Sequence, residues 1–251
     1  MKPYYQDSHS KVYCGDCRDI LPEISGVDMV LTDPPYFVPA NSYTGKRGEG
    51  YNRKMLGDVS ILGMAFELVF THYVNRATTD NATYYVFCDP QSYPSVWATL
   101  YPMCYRVSAL VWDKVVSYNG FTWRRQHEFI AWGTKGGPSK IPTGDGDVLR
   151  CRAVKYDDRG HPAQKPVELL QKLIVKHNPE LVLDPFCGSG SSLVAAKSAG
   201  FNCVGIEVEE KYCEVAAKRL EDAPAKNQGA EPVQRLTAAG QNTGNALELD
   251  L

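Results

Sequence analysis

Hydrophobic and polar positions along this chain follow two periods in turn. Short, largely apolar runs occur at Lys11–Cys14, Val27–Thr32, Thr83–Cys88, Val107–Trp112, Glu128–Trp132, Leu181–Leu183 and Cys203–Glu207. The later ones are apolar on both faces, as the buried strands of a parallel sheet require. Elsewhere apolar residues recur three and four apart: Val167, Leu170 and Ile174, then Leu193 to Ala196, then Tyr212, Val215 and Ala216. That spacing gathers them on one face of a helix. Pro166 opens the first of these helices, where its missing N–H costs nothing. Strands alternating with helices predict an α/β fold, a mostly parallel, doubly wound sheet.

The pattern fails in two places. From Phe37 to Asp58 glycines, tyrosines and basic residues replace it, which predicts a long, mobile loop, a feature uncommon unless functional. Beyond Leu220 large apolar residues become scarce, so 222–251 is expected to be a disordered tail. The rest, 1–221, reads as a single domain, with one half at about 11–135, a second at about 160–221 and a short insert at about 133–158.

Composition narrows the class. With 251 residues, 43% of them hydrophobic, the chain can build a full core. Its longest apolar stretches, such as Ala109–Trp112, fall far short of the roughly 20 residues of a membrane span. The start, MKPYYQDSHSKVY, lacks the apolar core of a signal peptide, so a cytoplasmic location is expected. Eight scattered cysteines are expected to be reduced. Cys14 and Cys17 form a C-x-x-C pair, but no second pair stands at zinc-ligand spacing, so no metal is expected. A net charge of -2 leaves nucleic acid open, because binding it needs a basic face rather than a basic total.

Two segments carry the chemistry. LVLDPFCGSGSSLVAA is a strand running into a glycine-rich turn and a helix, where Gly188 and Gly190 let the backbone approach a ligand and the helix start offers free N–H groups. The third glycine of a dinucleotide fingerprint is missing. Glu207 ends the next strand, 23 residues after Asp184, close to the ~20 expected of an acid that binds ribose hydroxyls. The other segment, VDMVLTDPPYF, ends a buried strand in Asp33-Pro34-Pro35-Tyr36. Two prolines hold the chain extended, fixing carbonyls and flanking side chains beyond the strand's carboxyl end.

Together, D-P-P-Y and D-P-F-C-G-S-G resemble the DNA amino-methyltransferase family, which methylates N6 of adenine or N4 of cytosine. With D-P-P-Y ahead of the glycine turn, the order resembles the circularly permuted β group. YCGDCRDIL, FTWRRQHEFIAWGTKG and GHPAQKPVELLQKLI are similar to further family segments, so matching pieces run in order from about Val12 to Leu220. The resemblance implies a Rossmann-like fold, S-adenosylmethionine (SAM) as cofactor and a DNA substrate. It implies that Asp33, Pro34, Pro35 and Tyr36 are catalytic, and that Asp184, Phe186, Gly188, Gly190 and Glu207 bind SAM. It further implies that Asp16 reaches the SAM adenine and Lys165 the methionine carboxylate.

In such a site Asp33 and the Pro34 carbonyl hold the amino hydrogens of a flipped-out base, with Tyr36 as its stacking platform. Methylation at carbon 5 of cytosine would need a thiolate, usually in a Pro-Cys dipeptide, which this chain lacks. Lys46, Arg47, Arg53 and Lys54, interleaved with Tyr43 and Tyr51, are candidate DNA contacts, and Arg124 and Arg125 are a second set. D-P-P-Y leans to adenine in the family. The alternatives are N4 of cytosine and a non-catalytic nucleic-acid-binding module with a relic fold. A homodimer is compatible with the resemblance.

Overall fold

The structure is a computed structural model, described for residues 1–35, 63–116, 122–137, 144–154 and 164–224. Among these residues nine strands form one sheet: β1 Tyr5–Gln6, β2 Ser10–Cys14, β3 Val27–Thr32, β4 Thr78–Cys88, β5 Arg106–Asp113, β6 His127–Thr134, β7 Val148–Arg150, β8 Leu181–Asp184 and β9 Asn202–Glu207. Their spatial order is β1-β2-β9-β8-β3-β4-β6-β5-β7. Of the nine, β1 and β6 run against the others. All seven runs read as strands from the sequence are strands here. Two edge strands, β1 and β7, add to them, and β4 begins five residues earlier than its apolar run, at Thr78.

Helices cover both faces. Against one face pack Val167–His177, Ser191–Ala199 and Glu210–Asp222, whose Leu169, Leu173, Leu193 and Leu220 meet Met29, Leu31 and Val182 of the sheet. Against the other lie Cys17–Ile20, the helical stretch 63–77, which winds as a π-helix over Val69–Val74, and Tyr93–Leu100. These bury Ile20, Phe70, Val74, Val96 and Leu100 against Val30, Tyr84 and Val86. Alternate side chains of one strand thus serve two cores, as a doubly wound sheet requires.

Strand order explains where a ligand can sit. From β3 the chain passes through 63–77 on one face to β4. From β8 it passes through Ser191–Ala199 on the other face to β9, which lies on the opposite side. The neighbours β3 and β8 therefore send their connections apart and leave a crevice at their carboxyl ends, the topological switch point of an open α/β sheet. Asp33 follows β3 and Asp184 ends β8, so both of the segments singled out by sequence open onto this crevice.

Candidate active site

The glycine turn is held from three sides. The buried Asp184 carboxylate accepts hydrogen bonds from Thr32 Oγ1 (2.6 Å), the Phe186 N–H (3.1 Å) and Ser192 Oγ. Burial pushes its carboxyl up to about 6; the three bonds oppose this, and nearby Asp33 adds to it. Arg219, from the last helix, donates to the Ser189 carbonyl (2.6 Å) and to the Ser189 and Ser191 hydroxyls (3.1 Å each). Gly188 has φ +50° and Gly190 φ +76°, left-handed values that favour glycine. A Cβ on Gly190 would stand 2.9 Å from Ala216 Cβ, whereas one on Gly188 would meet nothing within 4 Å. Gly190 therefore serves packing against the last helix, and Gly188 keeps space open.

That space belongs to two adjoining cavities that share Asp33, Phe186 and Gly188. The larger, about 1120 Å³ counting its open mouth, is lined by Asp16, Pro34, Pro35, Glu207 and Tyr212 among others. The smaller, about 490 Å³, is lined by Lys165, Gln164, Asp184, Ser189 and Ser192 among others. Glu207 receives the Gly188 N–H (2.9 Å) on one carboxylate oxygen and the Glu209 N–H (2.8 Å) on the other. Each oxygen retains lone-pair capacity for ligand hydroxyls. Asp16 caps the helix Cys17–Ile20 by accepting from the Arg18 N–H (2.8 Å), and it grips the Arg18 guanidinium. The Arg18 bonds hold the Asp16 carboxyl below its usual range.

The donor set fits an adenosine that carries an amino-acid chain. A carboxylate faces the larger cavity where hydroxyls would bind, an aromatic ring divides the two cavities, and a helix start and an ammonium line the smaller. Asp184 lines the smaller cavity while its carboxylate also braces the turn, Oδ1 accepting two hydrogen bonds and Oδ2 one.

Lys165 lines the smaller cavity, and its buried Nζ also lies 2.5 Å from Asp33 Oδ2 and 3.3 Å from Glu128 Oε2. Glu128 in turn meets Lys114 Nζ at 2.5 Å. The antiparallel course of β6 is what brings Glu128 here: its first residues lie at the same rim as the last residues of β3 and β5. Phe87 and Trp112 wall the group, their ring centres 5.3 and 6.0 Å from Lys165 Nζ.

Pro34 and Pro35 line the larger cavity beside Asp33. Tyr36, Lys46, Arg47, Arg53 and Lys54, and the loop that holds them, lie outside the described residues, as does the tail from 225 onward. Arg124 and Arg125 are exposed just ahead of β6. Sequence reasoning did not find Thr32, Lys114, Glu128, Ser192 or Arg219. For Glu128 a signal existed, the H-E pair at the start of an apolar strand.

A crevice at a switch point, a glycine turn and an acid at the next strand tip define an adenosine-binding site of the Rossmann-like kind. Residues 27–218 match the family model for N6/N4 DNA methylases, described as DNA methylase. The chain belongs to this family, in its permuted, D-P-P-Y form, and is a SAM-dependent DNA methyltransferase.

Among curated relatives it is similar to the type II methyltransferase M2.MboI of Moraxella bovis, 26% identical over 95% of this chain and 99% of that protein. It is also similar to the putative methylase YubD of Escherichia coli K12, 31% identical over 84% of this chain and 90% of that one. Among solved structures it shares its fold with TTHA0409 of Thermus thermophilus, a putative DNA modification methylase complexed with SAM. That match has a TM-score of 0.64 and 18% identity, covering 85% of this chain and 94% of that one. The cytosine-N4-specific PvuII DNA methyltransferase matches with a TM-score of 0.66 and 18% identity, covering 87% and 88%. Among the described residues no helix is long and apolar enough to cross a membrane.

Proposed function

We propose that the enzyme methylates the exocyclic amino group of adenine, N6, in DNA. The observation that carries this reading is Asp33-Pro34 at the mouth of the switch-point crevice, with Asp33 on the wall shared by both cavities. SAM, when bound, supplies an electrophilic methyl group on a sulfonium. The chain's residues do the rest. Glu207 would hold the ribose hydroxyls, Phe186, on the wall of both cavities, would lie against the adenosine, and the start of the helix Ser191–Ala199 would face the amino-acid end. An exocyclic amino nitrogen is a weak nucleophile because its lone pair is delocalised into the ring. Asp33 and the Pro34 carbonyl accept its two hydrogens and turn it toward tetrahedral geometry, so positioning and electrostatics dominate the catalysis. Tyr36, next in the chain, is the stacking platform for the flipped base.

Adenine is preferred because the tetrapeptide begins with Asp, the form that leans to adenine in the family. The fold does not separate the two bases, since the PvuII enzyme shares it. With adenine go three further parts of the reading: Lys46, Arg47, Arg53, Lys54, Arg124 and Arg125 as phosphate contacts, action in the cytoplasm, and a homodimer, which light scattering would reveal. Methyl-labelled SAM, unmethylated genomic DNA and nucleoside mass spectrometry decide the base. Label on N6 of adenine that is lost in Asp33→Ala is the expected result. Label on N4 of cytosine would overturn the choice of base and leave the chemistry standing.

A further inference from the structure

We propose that Lys165, gripped by Glu128, is a positioning residue that holds one oxygen of Asp33 so that the other is presented to the target amino group. The inference rests on the role given to Asp33 above and deepens it.

Four charges of alternating sign, Asp33, Lys165, Glu128 and Lys114, are linked end to end at 2.5, 3.3 and 2.5 Å. They come from four separate places in the fold: the end of β3, the approach to the helix Val167–His177, the start of β6 and the residue after β5. The set is neutral in sum. That is how charges survive behind aromatic walls, where an unpaired one would lose hydration with nothing to replace it. Burial alone would drive the proton off Lys165; the carboxylates of Asp33 and Glu128 outweigh it and hold the ammonium above its ordinary value. A lysine serving only to fill the core would not need two carboxylates, one of them on the wall of both cavities. Shared between them, Lys165 fixes the Asp33 side chain, and Glu128 tempers the positive charge that Asp33 feels.

Among the described residues, the groups that act on Asp33 include Lys165 and, behind it, Glu128, Asp184 on β8 and Cys88 at the end of β4. Burial pushes the Cys88 thiol up to about 12, so it stays uncharged at neutral pH. The acidic limb of the rate profile should therefore report Asp33 under the opposing pulls of Lys165 and Glu128.

The test is the pH dependence of kcat/KM for DNA methylation, with SAM affinity measured separately by calorimetry. Lys165→Met removes a positive neighbour, makes Asp33 easier to protonate, and should move the acidic limb up by about one pH unit or more. It should lower kcat about tenfold or more, with SAM affinity changed only slightly. Glu128→Gln removes a negative neighbour and should move the same limb down. Lys165→Arg keeps the charge and should keep the limb.

Opposite displacements cannot come from general loosening of the fold. Should Lys165→Met not fold, the direction of the Glu128→Gln displacement decides alone. An unmoved limb together with weakened SAM binding overturns the proposal and assigns Lys165 to the methionine carboxylate. A wild-type enzyme that labels no DNA overturns the reading of Asp33 itself, and this inference with it.

Discussion

Gly188 and Gly190 both sit at positive φ, yet a methyl group added to each would meet different surroundings. Gly190→Ala carries the backbone strain of about 1–2 kcal/mol and forces a Cβ to 2.9 Å from Ala216. It should lower the melting temperature while leaving the affinity for SAM, per folded molecule, nearly unchanged. Gly188→Ala carries the same strain, but its methyl group enters the wall shared by the two cavities. It should weaken SAM binding roughly tenfold, about 1.4 kcal/mol, by titration calorimetry. Equal SAM affinity in the two variants would refute this division of roles. The glycine turn, D-P-P-Y and Glu207 were legible in the sequence because each packs its chemistry into a few contiguous residues or a fixed spacing. The partner of Lys165 was not, because Asp33 lies 132 residues away and nothing in a linear pattern links the two.

At the scale of elements, the last helix is tied down by two cations from opposite directions. Its own Arg219 reaches the glycine turn, and the largely buried Lys197 of Ser191–Ala199 donates to the Leu220 carbonyl and to Asp7 Oδ2, both at 2.6 Å. Lys197→Met should cost about 2 kcal/mol by removing a charged donor from two acceptors that keep only neutral partners, Tyr5, His9 and Ser10 at Asp7 and Ala223 at the Leu220 carbonyl, a fall of roughly 4–8 °C in melting temperature for a chain of this size. A fall under about 2 °C, less than 1 kcal/mol would produce, would mean the tie is worth little. Strands such as Val27–Thr32 and Leu181–Asp184 could be read from sequence because burial on both faces leaves no room for polar residues. The edge strands β1 and β7 are two and three residues long, too short to show a period. The stretch 63–77 buries Phe66, Val69, Phe70, Val74 and Ala77 at helical spacing, but its aromatic and β-branched residues also suit a strand. The polar start of β4, Thr78–Asn81, hides a strand whose side chains there are partly exposed.

For the molecule as a whole, the two halves of the chain are joined by one sheet and also by a partly buried histidine between them. His177 ends the helix Val167–His177 and lies against β4, sharing a 2.5 Å hydrogen bond with the Tyr85 hydroxyl and an edge-on ring contact at 5.3 Å. Burial, helped by the neighbouring Lys176, pulls its pKa from 6.5 down to about 4. The folded protein therefore prefers the neutral ring, and between these values the unfolded chain binds more protons. Stability from this site is complete above pH 6.5 and drains away as pH falls toward 4. At about 1.4 kcal/mol per pH unit, that is a loss on the order of 2 kcal/mol between about pH 7.5 and pH 5. Urea unfolding at the two pH values should show the wild type losing that much more than His177→Gln, which keeps a polar group facing Tyr85 but cannot take up the proton. If the two proteins lose the same amount, acid sensitivity in this range lies elsewhere. If the difference appears, mild acid loosens the contact between the half that carries Asp33 and the half that carries the glycine turn. Activity below about pH 6, where the histidine begins to draw on stability, must then be corrected for the folded fraction before its acidic limb is assigned to any one carboxylate.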